Sequence, residues 1–100
     1  MKQFLITYTF SQGSEADWRK EIDTFIAAIE NDPELHGKLS YRCMKSGKGP
    51  EYFHIATVED ESVTTLLGQR DFFKHYSEKT EEVSGGNVRV MPLELIAETK

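Results

Sequence analysis

From Lys2 to Phe10 the chain alternates with period two, Phe4, Ile6, Tyr8 and Phe10 on one side and Leu5, Thr7 and Thr9 on the other. That spacing, rich in β-branched and aromatic residues, predicts a strand. The period changes after the turn Ser11-Gln12-Gly13-Ser14. Trp18, Ile22, Phe25, Ile26 and Ile29 then recur as one stripe of an amphipathic helix, with Ser14 as its N-cap. Asn31-Asp32-Pro33 stops that helix, because proline cannot continue it. Alternation returns from Lys38 to Lys45 and, after the turn Ser46-Gly47-Lys48-Gly49-Pro50, from Glu51 to Val58. Asp60 is placed to cap a second helix carrying Val63, Leu66 and Leu67. Gly68 interrupts the pattern, and Phe72, Phe73, Tyr76 and Val83 resume it, so two helical pieces hinge between Gly68 and Asp71. Ser84-Gly85-Gly86-Asn87 turns the chain into a last strand expected from Val88 to Ala97.

The order β-α-β-β-α-β is the ferredoxin-like split βαβ pattern, an α+β fold with a four-stranded antiparallel sheet and both helices on one face. The expected spatial order is 4-1-3-2. Pro92 suits an edge strand, where a missing N–H leaves no gap in the ladder. Lys38, Arg42 and Lys45 put charge on the other edge and discourage pairing there. One domain is expected over residues 1–100, as the length of 100 residues suggests.

Both faces of that sheet are apolar, although two helices cover only one. Tyr52, Ala56 and Val58 oppose Phe53 and Ile55 on the third strand; Val88 and Val90 oppose Met91 and Leu93 on the fourth. The sequence leaves open which parity meets the helices. Burial of one large side chain is worth about 1.5–3 kcal/mol. A second copy covering the open face is therefore expected, sheet against sheet, as a homodimer.

Twelve basic and seventeen acidic residues give a net charge of −5. RNA-recognition domains share this element order, but a basic stripe is missing, and no nucleic-acid partner is expected. No apolar run approaches the ~20 residues of a membrane helix, and no membrane partner is expected. A single cysteine, Cys43, and an N-terminus without signal-peptide character lead to the expectation of a cytoplasmic protein.

Between Tyr52 and Tyr76 an apolar strand leads to the acidic cap Glu59-Asp60-Glu61, a short helix, a break, and Asp71-Phe72-Phe73-Lys74-His75-Tyr76. This arrangement resembles the dimeric α/β-barrel superfamily, and within it the antibiotic-biosynthesis-monooxygenase-like domains, over essentially the whole chain. The resemblance implies sheet-to-sheet pairing and an apolar pocket between sheet and helices in each subunit. It also implies activities such as cofactor-independent oxygenation of polycyclic phenols or quinol oxidation, with haem degradation in some relatives. A helix histidine frequent in the family falls on Leu67, the histidine of its Pro-His-Phe-like segment on Phe72, and its strand glutamate on Ala56. Phe73 keeps the family identity. The early-strand asparagine of the haem-degrading relatives falls on Thr7.

Two histidines carry candidate chemistry, since imidazole titrates near neutrality. His54 lies mid-strand among apolar residues, and His75 lies on the second helical segment. Thr7, Trp18, Leu67 and Phe72 are the candidate substrate-binding residues. The histidines share no metal-ligand spacing, so neither metal nor cofactor is expected. The expected function is binding of a small hydrophobic or aromatic molecule, with monooxygenase or oxidoreductase chemistry in which His54 or His75 handles a proton. A non-catalytic small-molecule sensor, or a structural dimerisation domain, remains the alternative.

Overall fold

A computed structural model describes residues 1–100. The elements are β1 (Lys2–Thr9), α1 (Glu15–Glu30), β2 (Leu39–Lys45), β3 (Glu51–Val58), α2 (Glu61–Gly68), α3 (Asp71–Ser84) and β4 (Arg89–Leu93). The strands form one antiparallel sheet in the order β2-β3-β1-β4, which is the expected ferredoxin-like arrangement. The expected caps form as well. Ser14 Oγ accepts from the Asp17 N–H at 3.3 Å, and Asp60 Oδ1 from the Ser62 N–H at 2.9 Å. Gly85 closes α3 at φ 67°, a left-handed turn that a side chain would resist.

The fourth strand is shorter than the alternation implied. It ends at Leu93, and residues 94–100 take no regular structure, leaving Ile96 83 % exposed. Gln3 faces Leu93 across the sheet, so β1, which starts at Lys2, has one residue left to offer. Pro92 offers no N–H to extend the ladder. Hydrophobic alternation alone cannot hold a strand that has run out of partner.

The structure fixes the parity that the sequence left open. Phe4, Ile6 and Tyr8 of β1, together with Tyr52, His54, Ala56 and Val58 of β3, turn towards the helices. On α1, Trp18, Ile22, Phe25 and Ile29 meet them, all less than a tenth exposed. On α3 the fully buried line is Tyr76, Thr80 and Ser84, while Phe72, Phe73 and Val83 are only half-buried. The two long helices meet through rings: Phe25 stacks on Tyr76 with centroids 3.9 Å apart, and Trp18 stacks on Tyr76 at 5.5 Å. The opposite face carries Leu5, Phe53, Ile55 and Met91 around the strand centre, half-buried and packed under no helix. The accessible surface is 6800 Å², about 1,000 Å² above what the area scaling law gives for this mass. The uncovered sheet face and the loose tail account for such an excess.

A charged clamp joins two connections. Arg70, at the α2–α3 junction, donates from Nε to Asp32 Oδ2 at 2.8 Å and from Nη2 to Glu34 Oε1 at 2.8 Å. Both acceptors lie in the α1–β2 loop. The planar guanidinium fits two carboxylates at once, so the clamp ties the α2–α3 junction to the α1–β2 loop.

Leu35 sits in that same loop and is 0 % exposed, although nothing in its local pattern marks it as core. Leu35→Ala is expected to destabilise the fold by about 2–5 kcal/mol, the range for cavity-forming truncations. Urea unfolding measures this. A change under ~1 kcal/mol would mean the loop relaxes into the gap.

Candidate functional site

A cavity of about 460 Å³ lies between the helix-facing side of the sheet and α2–α3. Its walls are mostly apolar, with Phe4 and Ile6 from β1, Ala56 and Val58 from β3, Leu67 from α2 and Phe73 from α3. Thr64, Glu81 and Val90, all exposed, mark its mouth. At the buried end stand His54, Tyr41 and Tyr76. Glu81 is the one acid among the lining residues, and no lysine or arginine lines the cavity.

The polar end is assembled from four elements around one imidazole. Ile6 and Cys43 lie directly opposite His54 on the two neighbouring strands. Their same-face neighbours two residues away are Tyr8 and Tyr41, diagonal positions from which long side chains reach across a sheet. Tyr8 Oη lies 2.8 Å from His54 Nε2, and Tyr41 Oη lies 2.5 Å from Nδ1. From α3, Tyr76 Oη comes within 3.0 Å of the same Nδ1 and 3.2 Å of Tyr41 Oη. From α1, Trp18 Nε1–H donates to Tyr8 Oη at 2.9 Å.

His54 is 0 % exposed and faces no carboxylate. Burial therefore disfavours its charged form and lowers its pKa from 6.5 to about 4. Burial likewise pushes Tyr8, Tyr41 and Tyr76 above the ordinary phenol range. All four groups are neutral at physiological pH. An imidazole held this low takes up no proton at pH 7, so the cluster acts as a set of neutral hydrogen-bond donors and acceptors.

The structure gathers some of the sequence candidates and disperses others. His54 and Leu67 line the cavity. Trp18 stands behind it, 1 % exposed, hydrogen-bonded to Tyr8 and stacked on Tyr76. Phe72 packs against Phe25 at 5.9 Å, and its neighbour Phe73 takes the cavity wall instead. Thr7 falls on the opposite face of the sheet, between Phe53 and Arg89, because odd-numbered residues of β1 point away from the helices. His75 is on the surface, its Nε2 2.9 Å from Glu21 on α1. Neither Thr7 nor His75 reaches the cavity. Cys43 is half-buried, and burial raises its thiol to about 11, which makes it a poor nucleophile. The sequence reading missed Tyr8, Tyr41 and Tyr76 as polar residues. For Tyr8 and Tyr41 the signal was available only as register, phenols at the strand parity of a buried histidine, and Tyr76 reaches the same imidazole from α3. No group of three histidine, cysteine or acidic side chains is placed to hold a metal ion, and no helix is long and apolar enough to cross a membrane.

The lowered pKa has a measurable consequence. Above pH 6.5 His54 is neutral whether the chain is folded or not. Between pH 6.5 and about 4 the unfolded chain takes up a proton that the folded chain refuses, so stability falls as pH falls through that window. The expected loss is about 3 kcal/mol by pH 4. Urea unfolding across the window measures it, with His54→Gln as the control that flattens the slope. An equally steep slope in the control would assign the loss to other groups.

No family profile matches the chain, and no curated protein matches it. Solved structures do match. A structure described as an antibiotic biosynthesis monooxygenase superposes with a TM-score of 0.77 at 9 % identity, covering 97 % of this chain and 100 % of that one. SnoaB, a cofactor-independent oxygenase from Streptomyces nogalater, gives 0.77 at 14 % identity over 97 % of this chain and 94 % of its own. A dimeric ferredoxin-like protein of unknown function from Jannaschia sp. CCS1 gives 0.67 at 17 % identity over 95 % and 100 %. At such identities the likeness is one of fold: this chain has the fold of the antibiotic biosynthesis monooxygenase domains, the architecture its sequence resembles.

Proposed function

We propose that the cavity binds a small, neutral, largely aromatic molecule carrying one acceptor oxygen, and that the protein oxidises it with molecular oxygen without a resident cofactor. The observation that carries this reading is the segregation of the cavity: mostly apolar walls, with the buried titratable groups His54, Tyr41 and Tyr76 gathered at one end and neutral. Such a site rewards an apolar body and a single oxygen and disfavours a carboxylate, for which it has no cation. A phenol O–H aimed at the ligand's oxygen would stabilise that oxygen as it becomes an enolate, in the manner of an oxyanion hole, the C–H proton passing to solvent water at the mouth. The ligand itself then supplies the electrons. A CH₂ conjugated to the carbonyl becomes C=O; one atom of O₂ enters the product, and the other leaves as water with the two hydrogens. SnoaB, described as a cofactor-independent oxygenase, shares the fold and so supports this class of reaction.

Two copies would pair through the uncovered sheet face. Leu5, Phe53, Ile55 and Met91 form its apolar centre, with Arg42 and Arg89 on its edge strands. The Jannaschia protein, described as dimeric, supports the pairing of two copies. Thr7, on this face, would then belong to the subunit interface.

Calorimetry with 1,4-naphthoquinone, 1-naphthol and 1-naphthoate tests the cavity. The first two are expected to bind, and the naphthoate at least about tenfold more weakly, a difference of ~1.4 kcal/mol. Equal affinities would sink the neutral-ligand reading. Anthrone under ¹⁸O₂ tests the chemistry: one ¹⁸O atom per anthraquinone formed is expected, at a rate above the protein-free blank. Binding without oxygen uptake would favour the non-catalytic sensor instead. Phe53→Arg is expected to convert a dimer to monomer in sedimentation velocity; a wild-type monomer at micromolar concentration would defeat the pairing.

A further inference from the structure

The five polar groups of the cluster can be satisfied in only two ways, and they differ in where one proton is left over. Trp18 Nε1 can only donate, and it donates to Tyr8 Oη. The other partner of Tyr8 Oη is His54 Nε2. If Nε2 carried the imidazole proton, Tyr8 Oη would receive two donors and its own O–H would be stranded in the closed core, where Tyr8 is 4 % exposed. If Nδ1 carries it, Tyr8 O–H donates to Nε2. Nδ1–H donates to one of the two phenols nearby, and that phenol donates to the other. One O–H of the Tyr41–Tyr76 pair is then left, and both of these side chains line the cavity.

We propose that Tyr8 is a positioning residue: by donating to His54 Nε2 it locks the imidazole in the Nδ1–H tautomer and so turns one phenol O–H of Tyr41 or Tyr76 into the cavity. Tyr8 itself stays outside the cavity lining and acts through the imidazole. Trp18 occupies the Tyr8 oxygen from behind but does not choose the tautomer. The ligand-facing half of this inference rests on the cavity being the binding site; the tautomer half stands without any ligand.

The consequence of removing the Tyr8 hydroxyl follows from acid–base matching. A phenol O–H to an imidazole nitrogen is a stronger bond than an imidazole N–H to a phenol oxygen, because it runs from the better acid to the better base. In the wild type either tautomer contains one such bond. In Tyr8→Phe the Nε2 position is unpaired in either tautomer, as an N–H in one and as a lone pair in the other, and only the Nε2–H tautomer retains a phenol-to-imidazole bond, made from Tyr41 or Tyr76 to Nδ1. The tautomer should therefore flip, and the cavity should lose its donor, without any side chain that lines the cavity being changed.

Long-range ¹H–¹⁵N correlation spectra of protein labelled in the imidazole nitrogens read this directly, with the His54 resonances assigned by their loss in His54→Gln. In the wild type, Nε2 is expected at the unprotonated, pyridine-type shift and Nδ1 at the protonated one. Tyr8→Phe is expected to exchange them, and Trp18→Phe to leave them as in the wild type. A merely structural role for Tyr8 would not move the tautomer. In parallel, Tyr8→Phe is expected to weaken 1,4-naphthoquinone binding about tenfold while leaving naphthalene, which has no acceptor, unchanged. A wild-type spectrum with Nε2 protonated overturns the proposal whether or not any variant folds. So does a Tyr8→Phe spectrum that keeps the wild-type pattern. A swapped tautomer with unchanged naphthoquinone affinity overturns the donor subsite and, with it, the reading of the cavity.

Discussion

His54 lies on a central strand with none of its surface exposed and no acid to hold it charged. A buried imidazole in that position must be neutral, and both of its nitrogens must find partners or cost about 1–3 kcal/mol each. Strand neighbours can supply only what the register puts diagonally opposite, Tyr8 and Tyr41. The remaining partners come from the helix layer. Tyr76 reaches down from α3, and Trp18 on α1 closes the far side of Tyr8. One side chain thereby ties three strands to both long helices. The cluster is a packing solution as much as a polar one, since Phe25 and Trp18 stack on the ring of Tyr76.

The cavity is what remains beside this cluster. α3 is held to the sheet at Tyr76, and its junction with α2 is tied to the α1–β2 loop by Arg70 on Asp32 and Glu34. Between these two points the helices span apolar strands without filling the space beneath them. Neutrality follows from the same constraint. Burial that keeps His54 from charging also keeps the phenols from ionising, so the site presents hydrogen bonds rather than charge.

The fold was legible because its signals are local. Period-two alternation, a 3.6-residue stripe on α1, Ser14 and Asp60 as caps and the break after Gly68 each depend on a few adjacent residues. β4 was overdrawn because its end depends on how much of β1 remains to pair with, a non-local fact. Leu35 was missed because its burial arises from where the α1–β2 loop is carried, with no periodicity of its own. The site was half legible. An ionisable residue amid apolar strand neighbours singled out His54. Which residues answer it depends on register, and a one-residue slip of the neighbouring strands would have put Thr7 or Thr9 in the place of Tyr8, and Ser40 or Arg42 in the place of Tyr41. His75 looked equivalent in sequence, but the turn of α3 carries it to the surface and Glu21.

A crystal structure of the protein soaked with 1,4-naphthoquinone tests the central idea, that a neutral imidazole directs a phenol proton into an apolar cavity. The expected result is a ligand lying between the sheet and α2–α3, one carbonyl oxygen within hydrogen-bonding distance of Tyr41 Oη or Tyr76 Oη. A ligand with both oxygens at the mouth and its ring edge against the tyrosines would contradict it.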